Sequence, residues 1–195
     1  MSDRASYSDK SERPGLRFAL TRDIRRTLDP LGRTTLTPWR VTNIVLWSPE
    51  LRLVIAFRLY SWIAEHVNWY LGNVMYAIAR GRMACDLQLG ATIGPGLRIE
   101  HRADVVVGGS AVLGSDIDLY NGVTVGKRRP PWDEVQPTIG DRVMLGAGAK
   151  ILGGITVGDD VVVAANAVVL DDVPDGAAVA GIPARQVGRG SRRWR

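Results

Sequence analysis

At 195 residues the chain has room for one good-sized domain, or a domain with a helical appendage, and its 46% hydrophobic content is that of a globule with a real core. A single cysteine, Cys85, excludes an intramolecular disulfide and suits a reducing compartment; with only His66 and His101 beside it, the usual zinc ligand sets cannot be assembled except from carboxylates or between subunits. The net charge of +5 is uneven: residues 1–40 carry nine Arg and Lys against five Asp and Glu, residues 41–184 eleven against fifteen, and residues 185–195 five arginines and no acid.

Residues 1–14 are polar and read as a disordered leader. Met1 to Arg13 lacks an apolar stretch followed by a small-residue cleavage site, so a cytoplasmic location is expected. Leu16 to Leu28 has helical character and stops before Asp29-Pro30-Leu31-Gly32, a turn made by proline and glycine. Apolar residues then dominate from Val41 to Arg80, where two or three helices are expected, one of them opening at Pro49-Glu50 and running through Ile63. Trp47, Trp62 and Trp69 with Tyr60, Tyr70 and Tyr76 make this region aromatic. Packing of the helices on each other and on neighbouring subunits accounts for that, with peripheral contact to a bilayer as the alternative. Arg52, Arg58, Glu65 and His66 interrupt the run, so no stretch of about twenty uncharged residues is available to span a membrane. Residues 15–84 therefore read as a helical N-terminal region.

Past Gly81 and Ala84 the pattern changes. An aliphatic residue returns every six positions at Leu87, Ile93 and Ile99, then at Val107, Leu113, Leu119 and Val125, then at Ile139, Leu145, Ile151, Val157, Val163 and Val169. A sustained period of six matches neither a helix nor a simple strand; it predicts a mainly β fold, a left-handed parallel β-helix over residues 85–188. Of 22 glycines, 18 fall after Gly81, as expected where the chain turns a corner every six residues. Three hexapeptides make one coil, so about four coils are expected, with layers about 4.8 Å apart. The period breaks twice, by two residues near His101 to Asp104 and by a longer insertion across Lys127 to Thr138. Residues 189–195 form a basic tail, a solvated end or an anion site; without a recognition motif it does not imply nucleic acid.

The stretches IEHRADVVVGGSAVLG (99–114), LYNGVTVG (119–126), PTIGDRVMLGAGAKILGGITVG (137–158) and VPDGAAVAGIPARQVG (173–188) resemble the hexapeptide acyltransferases and, within them, the serine acetyltransferase group. The resemblance implies transfer of an acetyl group from acetyl-CoA to a hydroxyl, no metal, and a homotrimer with active sites between neighbouring subunits. It also implies that His101 activates the acceptor hydroxyl and that Asp86, fifteen residues earlier, orients it. The chemistry suits these residue types. An alcohol is a poor nucleophile at neutral pH, and an imidazole can take its proton as attack begins while a carboxylate on the far ring nitrogen sets the tautomer. By the same resemblance Ala147 and Ala165 line the pantetheine groove. Lys150, Arg185 and Arg189 are candidate phosphate partners by charge. Asn166 stands where a glycine is common.

The departures bear on the acceptor. Serine-using members carry an arginine-histidine pair before the proline that opens the next repeat; here Val135-Gln136 precedes Pro137. Glu100 stands where those enzymes have an aspartate that meets the amine of serine. Losing a guanidinium removes a bidentate carboxylate clamp, for which Arg128 or Arg129 is a substitute. Trp132 is suited to stack on a flat ligand, and Gln136 to hydrogen-bond an uncharged hydroxyl. The expectation is an O-acetyltransferase acting on a sugar or other small hydroxyl compound. A serine O-acetyltransferase with an altered acceptor site is the alternative, and a non-catalytic solenoid scaffold is a third reading. A hexamer through the N-terminal helices remains open.

Overall fold

The computed structural model describes residues 14–29, 37–129 and 135–190. The expected leader, the Pro30 to Gly32 turn, Trp132 and the end of the basic tail lie outside them. Four helices come first: α1 (Leu16–Leu28), α2 (Pro38–Trp47), α3 (Pro49–His66) and α4 (Trp69–Met83). Their starts follow from local chemistry. Ser48 accepts the amide of Leu51 ahead of Pro49, and Asn68 accepts the amide of Leu71, each at 3.1 Å, so side-chain oxygens satisfy donors that a helix start leaves open. Gly72 of α4 lies so close to α3 that a Cβ there would sit 2.4 Å from the Cβ of Ala64. Gly81, the expected boundary, lies inside α4; the helix ends at Ala84, which takes the left-handed conformation.

The coil follows. Its first turn is β1 (Asp86–Leu87), β2 (Thr92–Ile93) and β3 (Arg98–Glu100), and its second β4 (Val106–Val107), β5 (Val112–Leu113) and β6 (Asp118–Tyr120). The third is β7 (Thr124–Gly126), β8 (Thr138–Ile139) and β9 (Met144–Leu145), and the fourth β10 (Lys150–Leu152), β11 (Thr156–Val157) and β12 (Val162–Val163). A fifth turn begins with β13 (Val168–Val169) and includes β14 (Ala177–Gly181), and β15 (Ala184–Arg189) folds back antiparallel on β14. Parallel pairing of every third strand, with β14 following β12 at the last turn, builds three faces, β1-β4-β7-β10-β13, β2-β5-β8-β11 and β3-β6-β9-β12-β14.

All thirteen periodic aliphatics point into the prism, none more than 7% exposed. Burying each stabilises the fold by about 1.5–3 kcal/mol, which is why the six-residue period survives both interruptions. Leu53, Val54, Phe57 and Tyr60 of α3 and Ala79 of α4 continue that core, so the helices close the first turn of the prism. A polar lock holds them there. Asp23 of α1, 0% exposed, accepts the amides of Gly96 and Leu97 at 2.7 and 2.8 Å and the Arg58 Nε at 2.9 Å, while Arg58 donates to the carbonyls of Ile93 and Gly94.

The charge asymmetry has a structural cause. Arg22 and Arg26 of α1, in the basic first forty residues, reach Asp116 and Asp118 of the acidic coil at 2.5 and 2.9 Å. Along one edge, carboxylates of successive layers cap the corner beneath: Asp141 accepts the amide of Ser115, Asp159 that of Asp141 and Asp175 that of Asp159. The aromatic region divides. Phe57 and Tyr60 are buried, whereas Trp39, Trp47, Trp69 and Tyr70 are exposed, so in a single chain the expected packing of these rings is only partly made. No helix among the described residues is long and apolar enough to cross a membrane.

Candidate active site

The prism has three edges, and the interruptions fall on two of them. The edge joining β3 to β4 contains the two-residue break. His101 and Asp104 both take left-handed conformations, φ 59° and 58°, which lets the longer corner swing outward and leaves the imidazole exposed. The corner is tied to the end of α4: the Asp104 amide donates to the Ala84 carbonyl at 3.1 Å, and Arg102 donates to the carbonyl of Met83. Burial pushes the Cys85 thiol up, so this cysteine is held as a neutral packing residue beneath the corner.

Asp86 lies one layer below the same corner, its amide bonded to the carbonyl of Val105 at 2.8 Å. The two residues of the expected pair therefore share an edge in adjacent layers. Their side chains are not hydrogen-bonded within one chain. The Asp86 carboxylate instead accepts the Tyr76 hydroxyl at 2.5 Å and the Gln88 side-chain Nε2 at 3.4 Å, and pairs with Arg80 at 3.5 Å. Burial and the adjacent carboxylate push the Tyr76 phenol up to about 12. Glu100, next to His101, is held by Arg98 at 2.8 Å, and Arg98 also donates to Asp118, so the charge expected to meet a substrate amine is already paired.

The same edge continues up the coil through small residues. Successive corners are stitched by amide bonds of 2.8 Å from Gly122 to Ala103, from Gly148 to Asn121 and from Asn166 to Ala147. Ala147 and Ala165 are thus stacked neighbours on the edge that carries His101. Asn166 adopts φ 57°, and its Oδ1 fills the space over Gly148, where a Cβ would lie 2.2 Å away. Lys150 donates to the carbonyl of Gly122 and so is already engaged. Arg185 pairs with Asp171 at 3.3 Å on the exposed β15, the strand that also carries Arg189.

The long insertion occupies a different edge, the one joining β7 to β8. There Gln136 is only 9% exposed, packed over Gly108, and its Oε1 has no hydrogen-bond partner among the described residues. Val135, 66% exposed, covers Gly154, and Arg128 lies over Gly153. Within one chain, then, Glu100 accompanies His101 while Arg128 and Gln136 stand across a face of the prism. The expected acceptor set is split because the two breaks fall at different corners of the triangle. The contacts of Tyr76 and Arg80 with Asp86 were not legible in the sequence, since they depend on how α4 docks; that of Gly108 with Gln136 was hidden among other glycines. Among the described residues no cluster of three His, Cys, Asp or Glu side chains is placed to hold a metal ion.

A prism of stacked hexapeptides with an outward histidine at one corner defines an acyltransferase of the hexapeptide class, and residues 136–171 match the family described as bacterial transferase hexapeptide (six repeats). The chain belongs to the serine acetyltransferase family: it is 36% identical over 172 residues to the serine acetyltransferase of Helicobacter pylori, covering 88% of this chain and 96% of that one. Among solved structures it is similar to the Brucella abortus serine acetyltransferase in complex with coenzyme A, with TM-score 0.78, 31% identity and coverage of 89% and 68%. Soybean serine acetyltransferase complexed with serine gives TM-score 0.78, 32% identity and coverage of 91% and 71%.

Proposed function

We propose that the protein transfers the acetyl group of acetyl-CoA to the hydroxyl of L-serine, with His101 as general base and Asp86 as the carboxylate that orients it. The observation that carries this reading is the single edge on which His101 sits exposed, one layer from Asp86 and below the stacked small residues Ala147 and Ala165. His101 takes the hydroxyl proton, the oxygen attacks the thioester carbonyl, and the tetrahedral adduct collapses with loss of the CoA thiolate, which recovers the proton from the imidazolium. Pantetheine lies along the small-residue edge, and the exposed Arg185 and Arg189 of β15 serve as phosphate partners, whereas Lys150 stays engaged with the Gly122 carbonyl. The serine complexes and curated names among the relatives favour serine over the sugar expected from Val135 and Gln136.

In this reading the protein is a cytoplasmic homotrimer, and a neighbouring chain brings its own Gln136 and Arg128 edge to His101. The exposed aromatic faces of α2 and α4 support pairing of trimers into a hexamer. One observation favours a second reading. A neutral, buried Gln136 beside an aliphatic Val135 is a better match for an uncharged hydroxyl compound than for the carboxylate of serine. Thiol release from acetyl-CoA with serine, homoserine, nucleotide sugars and glycans tests both: turnover of serine above the others supports the first, turnover of a sugar replaces it with the second, and release with none leaves a scaffold.

A further inference from the structure

Asp86 is anchored by residues that the coil does not require. Strand β1 already has its ladder, with the amides of Asp86 and Gln88 bonded to the carbonyls of Val105 and Val107 at 2.8 and 3.0 Å. Unlike Asp141, Asp159 and Asp175, the Asp86 carboxylate caps no corner. Its side chain is nevertheless only 14% exposed, and a carboxylate withdrawn from water is costly unless it is paired and hydrogen-bonded. Helix α4 supplies both partners, the Tyr76 hydroxyl at 2.5 Å on Oδ1 and Arg80 at 3.5 Å on Oδ2.

The Tyr76 ring is itself fixed. It packs edge-on against Tyr60 at 5.6 Å, Tyr60 packs against Phe57 at 5.6 Å, and the Tyr60 hydroxyl donates to the Leu87 carbonyl at 2.5 Å. Two tyrosines from α3 and α4 thus grip consecutive residues of β1, one through the main chain and one through the carboxylate. A carboxylate can accept about four hydrogen bonds, so capacity remains for an imidazole from the corner above.

We infer that Tyr76 is a positioning residue for the Asp86 and His101 pair: it holds the carboxylate's rotamer and disperses its charge, so that the helical region sets how strongly His101 retains a proton. The inference rests on the catalytic pair proposed above. The titratable groups around the carboxylate are Tyr60 from α3, Tyr76 and Arg80 from α4 and Cys85 beside it on the chain. Around His101 they are Glu100 on β3 and Arg102 and Asp104 in the corner. Removing the Tyr76 hydroxyl leaves a more concentrated negative charge on Asp86, which in the proposed pair favours the imidazolium.

The chain has two histidines, so the ring of His101 can be followed by NMR titration in the full-length protein, with His66 as internal reference. Tyr76→Phe is expected to raise the His101 midpoint by roughly half a pH unit or more, and to move the acidic limb of kcat/KM for L-serine the same way. Tyr60→Phe, which breaks the main-chain half of the clamp, is expected to lower Tm and leave the midpoint in place. An unmoved midpoint in Tyr76→Phe, or an equal shift in Tyr60→Phe, overturns the inference. Full activity in His101→Ala overturns the catalytic reading instead, whatever Tyr76→Phe does to the titration.

Discussion

Gln136 lays its amide over Gly108 so closely that a Cβ on Gly108 would stand 1.9 Å from Oε1. A glycine in the preceding turn of the coil therefore makes the slot in which Gln136 lies. Gly108→Ala is expected to drive Gln136 out and raise KM for the acceptor by about tenfold, the loss of one hydrogen bond, while KM for acetyl-CoA changes little. Steady-state kinetics with each substrate varied checks the split.

The Oε1 of Gln136 is buried without a partner among the described residues. An unsatisfied buried acceptor costs about 1–3 kcal/mol, so Gln136→Leu is expected to raise Tm in the absence of ligand while weakening use of the acceptor. A variant that melts lower and keeps full activity contradicts both halves. Thermal denaturation and thiol release on the same preparation decide it.

If His101 is the general base, His101→Ala lowers transfer by about 10²- to 10⁴-fold and leaves assembly and CoA binding intact. Calorimetric titration with CoA and sedimentation analysis separate lost chemistry from lost structure. The corner is permissive, because it is anchored by Asp104 and Arg102 rather than by the imidazole.

Tyr76 links stability to alkaline pH. Its phenol is raised from 10.0 to about 12 in the folded chain, so its contribution is fully present below pH 10 and is lost as pH rises through 12. The Tm difference between the wild type and Tyr76→Phe is expected to be constant from pH 7 to 9 and to shrink above pH 10. A difference that stays flat to pH 11.5 rules this out.

Asp23 and Arg58 form a buried pair in which each satisfies main-chain groups of the first coil. Asp23→Ala leaves the Arg58 guanidinium and two amides without their partner, and is expected to cost about 3–5 kcal/mol. The double variant Asp23→Ala with Arg58→Met loses less than the sum, because the orphaned charge is gone. Urea unfolding of the four proteins measures the coupling.

The coil was legible because the period of six is a burial pattern. Leu87 to Val169 had to face inward to leave water, and all of them do. Helices α1 and α3 were legible through their stops and starts, Asp29-Pro30 and Pro49-Glu50. The acceptor was the least legible part, because Glu100, Arg128, Trp132, Val135 and Gln136 were read along the chain, where nothing shows that the two breaks fall on different edges of the prism. The pairing of Asp86 with Tyr76 had no signal at all, since ten residues of helix and turn separate them and only docking brings them together.

The sequence by itself determined the repeat, the corner at which the period lengthens by two, and the placing of His101 there, since a solenoid maps linear spacing onto layer and edge. Tertiary structure decided what stands across from what. It put Ala147 and Ala165 on the His101 edge and Gln136 on another, because each insertion lengthens one corner of a triangle without moving the other two. It also set α4 against β1, so that Tyr76 and Arg80 share the charge of Asp86, a relation settled by how the open first turn of the coil is covered.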